Sequence, residues 1–591
     1  MSNCTNSGQN NTNQNQNDPN NVTLFVLQAL KQEGIDHIFL VPGTTLAPFL
    51  PNFSKAGISA IVTAHEAGAA FMADGFARAR GGFGVCMGIG GPGITNMITA
   101  ISAAYFDRSP VLVVGGVIES EWQGDGAFQD ASPTGIDERE ILRPITVWAE
   151  RVPLAEKVGD FLQKAIRAML GVENRPAFIS IPRDIQQKPV PAKAYKPLRL
   201  QEPARILDQK AVKQLPDILR QATRITILAG NGCVRSGAGE EIQKFAKKYS
   251  IPIVTTLRAK GAISEDHPLS FGFYGSGGSL QANKVVMGWK TDNNKIEIPN
   301  AEVLLVLGAT LNQNNTYSWN KDFVPSQSLV RVDINPNIVS GKNYQETFIN
   351  GDVKELFHWL HKHENLFDAN LKASKPQREE WLQTIRQTPY YDYLETQTSD
   401  TVPMHPAQVI AELRKAAPRN TAIVADSGAH TFFVGHYWKS YAPNECLTLT
   451  TSGPMGYGVA LGVGAKFARP LQPCVAVVGD GGMLMHGIEI QTAARYKVPL
   501  IVVVINNSGL GNVYIHVEDE GPKALELTEL PTHNWVDFAR SLGGDGIVVE
   551  YPDKLAEAFK CAFASNVPFV VDARCCLNAK LPNEPSGTPA A

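Results

Sequence analysis

No stretch of this chain approaches the roughly 18 consecutive apolar residues needed to cross a bilayer. Its longest apolar runs, VLVVGG from Val111 and IVVVIN from Ile501, have the length of strands. Nor is there an excess of one charge. The 54 Lys and Arg stand against 57 Asp and Glu, a net of −3, which argues against nucleic acid and membrane surfaces and for small partners. Paired cysteines are missing too: eight are scattered over 591 residues without a CxxC, and only Cys575 and Cys576 are adjacent. That is the pattern of reduced, buried thiols in a cytoplasmic protein, not of a disulfide scaffold or zinc site. The amino-terminal MSNCTNSGQNNTNQNQNDPN lacks the basic start and apolar core of a signal peptide, and residues 1–20 read as a disordered polar tail.

What the chain does have is a repeated grammar. An amphipathic helix and a strand, NVTLFVLQALKQEGIDHIFLVPG, return as HPAQVIAELRKAAPRNTAIVADSG. A glycine-rich segment, a helix of small residues and a bare apolar strand follow in both places. Strands that alternate with helices and read as continuous Val/Ile/Leu runs are expected of parallel sheets covered on both faces. A third strand–helix series lies between, bounded by the Pro- and Lys-rich IQQKPVPAKAYKPLRLQEPA and the charged LKASKPQREEWLQTIRQ. The expectation is an α/β chain of three doubly wound, mostly parallel sheets, with domains at 21–190, 191–370 and 401–580. A linker is expected over 371–400 and a short tail over 581–591.

The most informative stretch is AVVGDGGMLMHGIEIQTAARYKVPLIVVVINNSGLGN, from Ala476 to Asn512. Glycines at the end of a strand let a backbone approach a ligand, and a helix start offers N–H groups to phosphate oxygens. A carboxylate there would repel phosphate unless a cation intervened, so Asp480 suggests magnesium, which takes oxygen ligands and shares them with phosphates. The next strand delivers the carboxamide of Asn507, and the turn at Gly509 can add a carbonyl. Either motif alone is commonly an ordinary turn; the strand–helix–strand context between them makes the pair specific.

GDG followed by a helix, a strand and NN resembles the signature of thiamine-diphosphate-dependent enzymes. The resemblance covers nearly the whole chain after the tail and implies the order pyrimidine-binding, middle and diphosphate-binding domain. It implies Asp480, Asn507 and the Gly509 carbonyl as ligands of Mg2+. It sets Gly481, Gly482 and Met483, with Ala429 and His430 of DSGAHTFF, against the diphosphate. In TSGPMGYG it makes the Gly453 carbonyl a partner of the coenzyme's amino group and Met455 the apolar wedge that bends it. Glu66, in TAHEAGAAF, matches the glutamate that activates the pyrimidine; read without the resemblance it is a helix-start acid beside the macrodipole. In relatives the two grips come from different subunits, so a homodimer or homotetramer is implied.

Such a coenzyme serves as an electron sink for 2-oxo acids, and the residues around it choose the outcome. The first domain has no His-His pair of the kind simple decarboxylases use. GDGAFQDASPTGIDEREILRPITVWAERV looks like the acetolactate synthase and benzaldehyde lyase branch, with Phe128 and Gln129 on the acceptor side. Carboligation between a 2-oxo acid and a second 2-oxo acid or aldehyde is therefore expected; decarboxylation or acyloin or diketone cleavage of larger, aromatic substrates is the alternative. Two departures stand out. The first loop reads VPGTTLAPF, setting Thr44 and Thr45 toward the substrate, and GATLNQNNTYSW replaces the stretch that holds FAD in acetolactate synthases, leaving flavin open.

Overall fold

The computed structural model describes residues 21–190, 195–198, 205–291, 295–338, 344–392 and 399–583. The expected tail over 1–20, most of that over 581–591 and parts of both linkers lie outside the described residues. Three six-stranded parallel sheets organise the rest.

The first sheet holds β1 (His37–Leu40), β2 (Ser59–Val62), β3 (Gly84–Ile89), β4 (Val111–Val117), β5 (Trp148–Arg151) and β6 (Ala177–Pro182), in the order β2-β1-β3-β4-β6-β5. The second holds β7 (Ile225–Ala229), β8 (Ile253–Thr255) and β9 (Ser270–Phe273). A two-stranded antiparallel ribbon follows, β10 (Trp289–Lys290) with β11 (Ile296–Ile298). The second sheet then continues with β12 (Val303–Leu307), β13 (Ser328–Asp333) and β14 (Glu346–Asn350). Its order, β14-β13-β12-β7-β8-β9, is that of a dinucleotide-fold sheet. The third holds β15 (Ala422–Ala425), β16 (Cys446–Thr448), β17 (Cys474–Gly479), β18 (Ile501–Asn506), β19 (Asp545–Val549) and β20 (Phe569–Arg574), ordered β16-β15-β17-β18-β20-β19.

Strand for strand, the first and third sheets have one topology, the structural form of the repeated grammar. Their central strands are buried along nearly their whole length, because helices cover both faces. The segment 371–400 does more than connect: its helix Lys375–Arg386 packs on the middle sheet. There the fully buried Arg378 donates through Nε to the Thr223 carbonyl at 2.6 Å and through a terminal nitrogen to the Tyr249 carbonyl. A stretch rich in charge reads as solvated, yet one guanidinium can satisfy several orphan carbonyls and then be buried.

The first and third domains share one hydrophobic core. The helices Glu66–Arg80 and Gly458–Ala468 cross with backbones in contact because glycines face each other's chains. A Cβ on Gly75 would lie 2.1 Å from the Leu461 carbonyl oxygen, and one on Gly464 would lie 2.0 Å from that of Met72. Beside them the buried Arg78 is held by Asp74 at 2.7 Å and Asp107 at 3.2 Å, and it donates to the Thr448 carbonyl across the seam. Since backbone oxygens cannot step aside, Gly464→Ala should cost about 1–3 kcal/mol and lower the calorimetric unfolding midpoint by several degrees. Gly82→Ala, which meets nothing within 4 Å, should not; equal midpoints for the two variants would show that the seam tolerates separation.

Candidate active site

The strands β15, β17 and β18 are neighbours and parallel, so their carboxyl ends open side by side, where open α/β sheets bind ligands. The chain leaves β15 through Asp426-Ser427-Gly428 into the helix Ala429–Tyr437, and leaves β17 directly into the helix Asp480–His486. That second helix starts three residues before Met483. Between these ends lies a cavity of about 210 Å³. Nine of the expected site residues line it: Ala429, His430, Gly453, Met455, Asp480, Gly481, Gly482, Asn507 and Gly509.

The Asp480 carboxylate is fully buried. One oxygen accepts the backbone N–H groups of Asn507 and Ser508, each at 2.9 Å, and the other accepts the indole N–H of Trp535 at 2.9 Å. Burial raises its pKa, opposed by these donors. The Asn507 carboxamide oxygen lies 3.0 Å from the Gly509 carbonyl oxygen and 3.2 Å from Asp480 Oδ2. Turned over, the amide would donate to both. Placed with its oxygen inward, the carboxamide lies between two other oxygens at spacings close to the roughly 3 Å edge of an octahedron with ligands at about 2.1 Å. The donor set fits a small, hard divalent cation.

The rest of the cavity fits an anion next to it. Burial pushes the His430 imidazole down to about 4, so the ring is neutral at pH 7. Its buried Nε2 has no hydrogen-bond partner, although such atoms are normally satisfied. Ala429 and His430 open the nine-residue helix at the cavity wall, where N–H groups suit phosphate oxygens. The half-buried Met455 comes close to the turn at the start of the helix Asp480–His486 only because Gly481 has no side chain; a Cβ there would lie 2.6 Å from Met455 Cε. The turn carrying Gly453 and Met455 is itself anchored, since the Gly456 N–H donates to both oxygens of the buried Asp426 at 3.0 Å. Burial lifts that carboxyl to about 7.

The remaining expected residues lie elsewhere. Met483 turns its side chain into the core shared by the two domains. Glu66 begins the helix Glu66–Arg80 and accepts from Asn96 Nδ2 at 3.0 Å; it does not line this chain's cavity. Thr44 is exposed, whereas Thr45 is buried, its carbonyl accepting from Gln186 at 2.9 Å. Phe128 is 86 % exposed, and Gln129 follows it with a φ of 60°. No residue of the first domain lines the cavity. In the middle domain Gly230 and Gly232 pack on Gly308, where a Cβ on Gly232 would lie 2.6 Å from Gly308 Cα; that close packing itself requires glycine.

Sequence reasoning missed Trp535, Asn512 and Cys576. Asn512 and Cys576 line the cavity, Cys576 from beyond the last strand. Trp535 stands 55 residues from the carboxylate it serves, and no spacing pattern announces such a pair.

Family models for the thiamine pyrophosphate enzymes match three parts of the chain: the N-terminal TPP binding domain over 20–136, the central domain over 212–360 and the C-terminal TPP binding domain over 426–573. The chain belongs to the thiamine pyrophosphate enzyme family. Among similar proteins, the "Probable acetolactate synthase large subunit" of Methanocaldococcus jannaschii is 31% identical, covering 93% of this chain and 90% of its own length. The acetolactate synthase large subunit of Buchnera aphidicola subsp. Acyrthosiphon pisum is 29% identical over 91% of each. The sulfoacetaldehyde acetyltransferase of Alcaligenes xylosoxydans xylosoxydans is 28% identical over 90% of this chain and 88% of its own. The chain is thus a thiamine-diphosphate-dependent enzyme of the acetolactate synthase-like group.

Trp535→Phe keeps the ring and removes the donor to Asp480. Partners of metal ligands typically contribute 10–100-fold to affinity. Calorimetric titration of thiamine diphosphate at limiting magnesium should show a loss in that range, shrinking at saturating magnesium. Unchanged magnesium dependence would exclude this role.

Proposed function

We propose that this enzyme is a magnesium-dependent carboligase that decarboxylates a 2-oxo acid and joins the remaining unit to a second 2-oxo acid or aldehyde, in the cytoplasm. The observation that carries the reading is the convergence of Asp480, Asn507 and Gly509 on one cavity with the unpartnered His430 Nε2. It is the donor set for a cation next to a diphosphate.

When bound, the coenzyme supplies a nucleophilic carbon and an electron sink. Asp480, Asn507 and Gly509 would hold the cation, and Ala429, His430, Gly481 and Gly482 the diphosphate. Gly453 would offer its carbonyl to the amino group, and Met455 would support the bend. Glu66 would hold and exchange the proton of the pyrimidine ring, with Asn96 fixing one carboxylate oxygen. Phe128 and Gln129 would border the acceptor, with Thr44 beside them. The acetolactate synthase names among the relatives favour ligation.

A homodimer or homotetramer with the site between subunits follows from the same reading. Within one chain the cavity is built from the diphosphate-binding domain alone. Exposed apolar side chains stand on segments next to it: Leu484 at 51 % and Met485 at 51 % on the helix that begins at Asp480, and Leu527 at 84 %. A partner's Glu66 would complete the site and cover that surface.

Incubation with thiamine diphosphate, magnesium and pairs of 2-oxo acids, pyruvate and arylpyruvates included, should yield coupled products by mass spectrometry. Aldehyde as the sole product with every acceptor would reject ligation. Glu66→Gln should leave coenzyme affinity within a few-fold and slow C2 proton exchange by on the order of 100-fold or more. A wild-type exchange rate in that variant would remove Glu66 from the role.

A further inference from the structure

The segment from Asp480 to Glu489 touches three functional parts of the protein. It starts at the expected cation ligand and passes beneath the turn of Met455. It ends against the backbone that presents Glu66. The side chain of Glu489 is fully buried and reaches across the domain seam. Its Oε1 accepts the His65 N–H at 3.1 Å and its Oε2 the Ala64 N–H at 3.2 Å; Thr492 Oγ1 donates to Oε2 at 2.5 Å. The two backbone groups immediately before Glu66 are therefore satisfied by a carboxylate 424 and 425 residues further on. Tyr496 adds a third tie, its hydroxyl accepting the Val62 N–H at 2.8 Å. There is no slack here, because a Cβ on Gly68 would lie 1.9 Å from Glu489 Oε1.

His486 fills the space between the two grips on the coenzyme. Its ring meets His65 edge to face at 5.7 Å between centroids, and Phe71 likewise at 5.8 Å. Its Nδ1 lies 2.9 Å from where a Cβ on Gly456 would stand, next to Met455. His65 in turn caps the Glu66 helix, its Nδ1 accepting the Ala67 N–H at 3.1 Å. Packed protein interiors transmit displacement instead of absorbing it. A shift of the helix Asp480–His486 thus reaches the Glu66 turn through one imidazole and one carboxylate.

We propose that Glu489 and His486 are positioning residues for Glu66, and that the segment Asp480–Glu489 couples the cation and diphosphate cavity of a chain to the Glu66 of that same chain. The inference rests on the reading of Glu66 given above. Since that Glu66 would serve the partner's cavity, the segment would tie the two active sites of a dimer together.

The test uses full-length protein and two kinds of readout. Backbone amide hydrogen exchange of the coenzyme-free protein, followed by mass spectrometry, reports on the peptide spanning Ala64 and His65. Glu489→Ala should lower its protection about tenfold or more, since two N–H groups lose their acceptor. Gly68→Ala, which keeps the carboxylate but displaces it, should do the same, and guards against a Glu489 variant that merely fails to fold. In the coenzyme-loaded protein both variants should slow C2 proton exchange by about tenfold, with coenzyme affinity changed less than about threefold. His486→Ala should follow them, and His486→Phe, which restores the ring, should recover most of the rate. Unchanged amide protection, an unchanged C2 exchange rate or a parallel loss of coenzyme affinity would each overturn the proposal. Failure of the underlying reading would appear separately, as wild-type C2 exchange in Glu66→Gln.

Discussion

The structure turns on a buried carboxylate. Taking Asp480 out of water costs several kcal/mol unless its charge is met. Backbone N–H groups of the turn after β18 and the indole of Trp535 meet part of it. The Asn507 carboxamide lies 3.2 Å from it and, with its oxygen turned inward, adds an acceptor and not a donor. A site so arranged is electrostatically incomplete, and a divalent cation would complete it. The neighbouring cavity, with its unpartnered imidazole, extends the same logic to the anion that such a cation would carry.

A second constraint is the glycine-faced seam between the first and third domains. Gly75 and Gly464 let two helices touch backbone to backbone, which merges two sheets of identical order into one core. The seam leaves the carboxyl edge of the third sheet without a covering first domain. The exposed apolar surface beside the cavity and the separation of Glu66 from it follow from that one packing choice. The middle domain has a different strand order and its own core, and it meets its neighbours through both polar and apolar contacts, Asn335 on Glu173 and Phe273 on Gly435.

Much of this was legible in the residue order. Val- and Ile-rich runs ending in glycine mark strands of a parallel sheet, because a strand buried on both faces has no room for alternation. Asp480 and Asn507 were legible as a pair because strand ends in such sheets share an edge. The helix Lys375–Arg386 was not. Its surface charges hide a single buried Arg378 whose value lies in carbonyls at Thr223 and Tyr249. Met483 was assigned toward the diphosphate by its place in the motif; that its side chain packs into the core shared by two domains was not legible, because that core includes the first domain as well.

The sequence by itself determined the α/β architecture, the two matching domains and the chemistry of the coenzyme site, because these depend on local periodicity and on motifs read within a few dozen residues. Only the tertiary structure decided that Trp535 holds Asp480 and that Glu489 and His486 abut the turn of Glu66. Those relations join residues tens to hundreds of positions apart. They are set by how helices pack and which backbone groups remain to be satisfied, and these are properties of the assembled core that no local pattern encodes.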